Sequence, residues 1–187
     1  MRKVGAFNFV TLDGYFEGPK RDISWHKHDA DGTAYAVEGL KSGNALLFGR
    51  VTYELMASYW PTPLAIKNDP VVAEGMTRAE KIVFSRTLKR AEWNNTRVVN
   101  DNIGEEVRRL KQTPGKNMTL LGSGSILTQL AEQGLIDEFQ FMVDPVALGE
   151  GTPIFRNINH RLNLTLTSTR TFQNGTVLLC YQPAETS

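Results

Sequence analysis

Apolar side chains recur in short bursts separated by glycine- and proline-rich breaks, and the period of the bursts changes along the chain. Val4 to Leu12 is a β-rich run with Val4, Ala6, Phe9 and Val10 on its apolar side, and it reads as a first, central strand. Asp13 to Pro19 breaks it with two glycines and a proline set among aromatics. Trp25 to Ser42 reads as a helix, with Ala34, Val37 and Leu40 at helical spacing and Gly43 as its stop. Ala45 to Phe48 is a strand that runs through Gly49-Arg50 into a helix over 52–59, which Pro61 and Pro63 end. Asp69-Pro70 opens a short helix to about Met76.

Strands follow at Lys81–Phe84, Thr96–Val99 and Met118–Leu121, with helices at Glu105–Gln112 and Ile126–Gln133 between and after them. From Ile136 the period becomes two: Phe139, Phe141 and Val143 alternate with Gln140 and Met142, and Leu162, Leu164 and Leu166 with Asn163 and Thr165. Asn174-Gly175 ahead of Thr176–Tyr181 marks a hairpin. The pattern predicts an α/β domain whose mixed sheet is mostly parallel and ends in an antiparallel hairpin, with helices on both faces.

Composition narrows the class. A chain of 187 residues with 41% apolar content predicts one domain over 1–187. With 21 basic against 20 acidic residues there is no basic field to attract nucleic acid or an anionic membrane. Cys180 is the sole cysteine, which excludes an intrachain disulfide. No signal peptide or membrane span is recognisable, so a cytoplasmic protein is expected.

Three turns carry the candidate chemistry: Gly49-Arg50-Val51-Thr52, Ser85-Arg86-Thr87 and Gly122-Ser123-Gly124-Ser125, each after a predicted strand. In an open parallel sheet the carboxyl ends of the strands share one edge, so the three turns converge there. Glycine lets backbone N–H groups approach a diphosphate, helix starts favour anions, and Arg50 and Arg86 add permanent charge. Taken singly, each is an ordinary corner with a surface arginine. A Rossmann fingerprint is excluded, because its third glycine would fall on Leu127.

Thr11-Leu12-Asp13-Gly14-Tyr15, Leu47-Phe48-Gly49-Arg50-Val51-Thr52-Tyr53-Glu54, Phe84-Ser85-Arg86-Thr87-Leu88, Leu120-Leu121-Gly122-Ser123-Gly124-Ser125, Leu135-Ile136-Asp137-Glu138 and Leu148-Gly149-Glu150-Gly151-Thr152-Pro153-Ile154-Phe155 occur in this order. Together they resemble the dihydrofolate-reductase-like superfamily in its RibD C-terminal, riboflavin-biosynthesis branch. The resemblance implies a three-layer fold, an NADPH site, hydride transfer to a small heterocycle, and a homodimer. It places cofactor phosphates on Gly49, Arg50 and Thr52, and the adenosine 2′-phosphate on Ser85 and Arg86. It places the diphosphate on Gly122, Ser123, Gly124, Ser125 and Ile126, and the nicotinamide under the loop containing Asp13.

One position departs from that pattern. Thr33, which cannot ionise, stands where dihydrofolate reductases carry an acid, and Asp29 and Asp31 one turn earlier are substitutes or ordinary helix caps. One cysteine excludes the zinc deaminase that riboflavin-pathway reductases often carry. His26 and His28 are wrongly spaced on a helix for a shared metal, and no metal site is expected. The substrate the resemblance points to first is the aminouracil ribosyl phosphate of riboflavin synthesis. The alternatives are a pterin-type reductase of unassigned substrate and a non-catalytic nucleotide-binding protein.

Overall fold

The computed structural model describes residues 1–184. Six strands run parallel: β1 (Val4–Thr11), β3 (Ala45–Gly49), β4 (Lys81–Phe84), β5 (Thr96–Val99), β6 (Met118–Leu121) and β7 (Glu138–Asp144). The hairpin strands β9 (Leu164–Thr171) and β10 (Val177–Pro183) complete the sheet, in the order β5-β4-β3-β6-β1-β7-β10-β9. β10 lies antiparallel to both β7 and β9. This is the expected mixed sheet, and β1 is central, with parallel neighbours on both sides.

Side-chain parity sorts the core into layers. Leu47, Ile82 and Phe84 point with Val4 and Ala6 towards the helices α5 (Ile103–Gln112) and α6 (Gly124–Glu132). Leu46, Phe48 and Val83 point to the other face, against Tyr53 of α2 (Arg50–Tyr59) and Val72 and Met76 of α4 (Pro70–Arg78). Strands buried on both faces read as unbroken apolar runs, which is why Leu46-Leu47-Phe48 and Ile82-Val83-Phe84 stood out in the sequence. On β1 the alternation is Val4, Ala6, Asn8, Val10, so Phe9 belongs to the opposite face from the one its neighbours suggested.

Other expectations need correction. The helix expected from Trp25 begins at Ala30, as α1 (Ala30–Lys41), because the Asp29 carboxylate caps it by accepting from the Gly32 N–H at 2.7 Å. Pro63 does not merely end α2; it opens α3 (Pro63–Asn68) from the first helical position, where its missing N–H costs nothing, behind a Thr62 cap. The short strands β2 (Tyr15–Glu17) and β8 (Thr152–Pro153) pair with each other and were not foreseen.

The corner between α4 and β4 is sealed by Lys81. This residue is fully buried, yet its Nζ donates to the carbonyls of Met76, Thr77 and Ala79 at 2.7–2.9 Å and lies 4.5 Å from the Trp93 ring. It thereby satisfies carbonyls that a helix C-terminus otherwise leaves unpaired. Burial pushes its amine down to about 8.

Candidate active site on the carboxyl edge

β4, β3 and β6 are adjacent, and their registers (Gly49 opposite Phe84, Leu47 opposite Leu120) bring all three turns to one edge. Two of the turns are braced together. Ser123, in the left-handed region at φ 62°, accepts from the Gly49 N–H at 2.7 Å and donates to Thr52 Oγ1 at 2.9 Å. A Cβ on Gly122 would lie 3.2 Å from Thr52 Cγ2, and one on Gly49 3.1 Å from Ile126 Cγ1. The glycines permit that close approach, and Ile126 is buried in it as packing.

The helices that begin here, α2 and α6, have neither a capping side-chain bond nor an acidic residue in the first turn. Thus Arg50, Val51, Gly124 and Ser125 present first-turn N–H groups at two neighbouring helix starts. Arg50 is exposed and forms a 3.0 Å pair with Glu54 one turn on, an interaction worth only a few tenths of a kcal/mol. Its guanidinium is therefore readily diverted to an incoming anion. Ser85 Oγ accepts from the N–H groups of Thr87 and Leu88 and so shapes its own turn. The exposed Arg86 side chain makes no hydrogen bond among the described residues. Uncapped helix starts, glycines where a Cβ would crowd Ile126 or Thr52, and the exposed guanidiniums of Arg50 and Arg86 are groups that could hold the phosphates of a nicotinamide dinucleotide.

The remaining sequence candidates are placed differently. Asp13 is engaged by its own scaffold: its carboxylate accepts from Thr11 Oγ1 at 2.6 Å, Gly149 N–H at 2.7 Å and Leu148 N–H at 3.0 Å. The Thr11 hydroxyl, then the Gly149 amide, hold its carboxyl below the ordinary range. It clasps two loops, and the residue itself is exposed beside them. Asp29 is spent as the α1 cap, Asp31 lies in the first turn of α1, and Thr33 is half-buried in the same helix. None of the three provides a buried, directed acid.

Such an acid–base pair exists nearby, and the sequence reading missed it. Asp144, the last residue of β7 and 3% exposed, stands opposite Thr11 of β1. Both its carboxylate oxygens lie 2.9–3.0 Å from Nδ1 of His26, whose ring stacks on Phe9 with centroids 3.6 Å apart. His28 stands edge-on to His26 at 4.6 Å. Partial desolvation, then the adjoining His26, keep the His28 imidazole below the ordinary histidine range, against an opposite pull from Asp69, Asp144 and Asp29. Tyr35, on the same face, donates to Gln140 Oε1 at 3.0 Å, and burial pushes its phenol up to about 12. Asn8, on the α6 side of β1, is 2% exposed and leaves Oδ1 without a partner. Among the described residues no group of three His, Cys, Asp or Glu gathers to hold a metal, and no helix is long and apolar enough to cross a membrane.

Comparison with known proteins agrees with this architecture. The deaminase/5-amino-6-(5-phosphoribosylamino)uracil reductase of Thermotoga maritima superposes with a TM-score of 0.68 at 14% identity, over 98% of this chain and 57% of that one. Dihydrofolate reductase from Enterococcus faecalis, solved with NADP(H) and RAB-propyl, gives 0.63 at 16% identity, over 98% and 97%. The fold is dihydrofolate-reductase-like. The uncharacterized protein YyaP of Bacillus subtilis (strain 168) is 37% identical over 172 residues, 92% of this chain and 90% of that protein. Residues 2–178 match the RibD C-terminal domain, and the chain belongs to that reductase-like family.

Proposed function

We propose that this protein is an NADPH-dependent reductase acting on a C=N or C=O bond of a small heterocycle. The first substrate to try is 5-amino-6-(5-phosphoribosylamino)uracil, which the name of the Thermotoga maritima relative carries. The observation that carries the reading is the pair of uncapped helix starts, α2 and α6, braced through Ser123 and flanked by Arg50 and Arg86. The N–H groups of Gly124 and Ser125 would hold the diphosphate, and Arg50 with Arg86 the further phosphate. When bound, the nicotinamide supplies a hydride. Asp13 fixes the loops beside the site, where Leu148 and Gly149 donate to its carboxylate.

A non-catalytic nucleotide-binding protein is the second reading, favoured by Thr33 at the position where an acid is expected and by the absence of a buried acid on α1. Thermal unfolding with NADPH, NADH or no ligand tests the cofactor first, since a ligand bound only by the native state raises its stability. NADPH is expected to raise Tm more than NADH, and Arg86→Ala to abolish the difference. No shift with either nucleotide at millimolar concentration would sink the cofactor assignment.

A further inference from the structure

The proposed reduction needs a proton as well as a hydride, and α1 buries no acid that could deliver it: Asp29 is engaged as its cap, Asp31 lies in its first turn and Glu38 is exposed. We infer that His26 is the proton donor of this site and that Asp144 is the positioning residue that holds its ring, an inference that rests on the reductase reading above.

Three observations carry it. The first is orientation. Asp144 engages only Nδ1, with both oxygens within 3.0 Å, so the tautomer is fixed with N–H on that side. Nε2 makes no hydrogen bond among the described residues and is not one of the fully sealed polar atoms. It is thus the nitrogen left to face a reacting group. The second is rigidity. The His26 and Asp144 side chains are 9% and 4% exposed, and the imidazole lies flat on Phe9 of the central strand. A donor held on both its edge and its face keeps its place while a ligand exchanges.

The third is location. The Phe7 carbonyl accepts from the Gly122 N–H at 3.0 Å, so β1 itself touches the phosphate turn. Phe9, which carries the His26 ring, is two residues further along the same strand, roughly 7 Å. The strand that touches the Gly122 turn therefore also carries the ring on which the His26 imidazole is stacked. The charged and titratable groups around the imidazole are Asp144 from β7, His28 on its own segment, and Asp29 and Asp69 beyond His28. Tyr35 is hydrogen-bonded as a neutral phenol and takes no part.

The step balances as follows. The carbon of the substrate C=N bond gains the hydride from NADPH, the π pair moves to nitrogen, and that nitrogen takes the proton from Nε2 of the imidazolium. NADP⁺ and an amine result, and neutral His26 recovers its proton from solvent. Asp144 holds the Nδ1 edge through the step and keeps Nε2 turned to the substrate.

The test uses the whole protein with NADPH and, in turn, 5-amino-6-(5-phosphoribosylamino)uracil, 7,8-dihydrofolate and a dihydropterin, following single-turnover hydride transfer against pH. In the wild type the rate constant should fall towards high pH with unit slope. His26→Gln should lower it about 100-fold and remove that pH dependence. Asp144→Asn should lower it about 10-fold, because the ring loses the carboxylate that fixes its Nδ1 edge. Both variants should keep the NADPH-dependent rise in Tm. Independently of turnover, the Nε2 resonance of ¹⁵N-labelled His26 should move when the reactive heterocycle is added with NADP⁺. A merely structural pair would leave the pH profile and that resonance unmoved, and this result, or full activity in His26→Gln, overturns the inference alone. A wild type that melts higher with NADPH yet reduces none of the three overturns the reductase reading and the inference together.

Discussion

Two helix ends in this molecule treat their unpaired backbone groups in opposite ways. At the C-terminus of α4 a buried lysine reaches back to three carbonyls and leaves nothing for solvent or ligand. At the N-termini of α2 and α6 no side chain caps the first turn, and the one hydroxyl in place, Ser123 Oγ, ties the two turns to each other. The first arrangement spends chemistry on stability. The second withholds stabilisation that a serine or aspartate cap would supply at about 1 kcal/mol each, and keeps the donors for something outside the chain. Mutations at the two ends should therefore separate folding from binding.

The largest expected effect is at the sealed end. Lys81→Met keeps the apolar stem but strands three carbonyls, and should cost about 2–4 kcal/mol by urea unfolding at pH 7. The folded-state amine titrates at about 8 against 10.5 for the reference. Below pH 8 both folded and unfolded chains carry the proton; between about 8 and 10.5 the unfolded chain binds more. The stability of the wild type relative to Lys81→Met should accordingly rise across that window. A difference flat with pH would mean the amine is not held in the folded state as described.

An intermediate effect is expected at the open end. Gly122 has φ +55°, and its added Cβ would meet Thr52, so Gly122→Ala should cost about 1–2 kcal/mol and abolish the NADPH-dependent rise in Tm. Loss of stability with the nucleotide shift intact would remove the turn from the phosphate site. The smallest effect has the opposite sign. Asn8→Leu replaces a buried amide with an unpartnered Oδ1 by an apolar side chain of the same branching, and should raise the melting temperature of the ligand-free protein, by about 1 kcal/mol in stability terms. A loss of stability there would show that the amide is satisfied in solution.

Much of this arrangement is legible in the sequence because it is local. Leu46-Leu47-Phe48 running into Gly49-Arg50, and Met118–Leu121 running into a Gly-Ser-Gly-Ser turn, announce strand-to-helix corners with open amides. The acid–base pair is not local: His26 and Asp144 are 118 residues apart and meet only because β7 pairs with β1. The helical spacing of Ala34, Val37 and Leu40 also drew the expected start of α1 back over Trp25 and His26, which hid the imidazole on a helix it does not join. Pro63 misled for a related reason, since a proline that stops one helix is equally suited to start the next. In the same way the sequence does not show that Leu148 and Gly149, remote from Asp13 along the chain, donate to its carboxylate.

The Asp13 clasp also couples two loops in time. The amide protons of Leu148 and Gly149 are held by a carboxylate on the segment that follows β1, so neither loop opens to exchange with solvent unless that carboxylate lets go. The two segments should thus exchange their amides as one cooperative unit, with a common opening rate, although they belong to opposite ends of the chain. Acid that protonates Asp13 should free the Leu148 and Gly149 amides, while the backbone bonds from Leu12 to Val146 and from Ile154 to Gly14 still join the two loops.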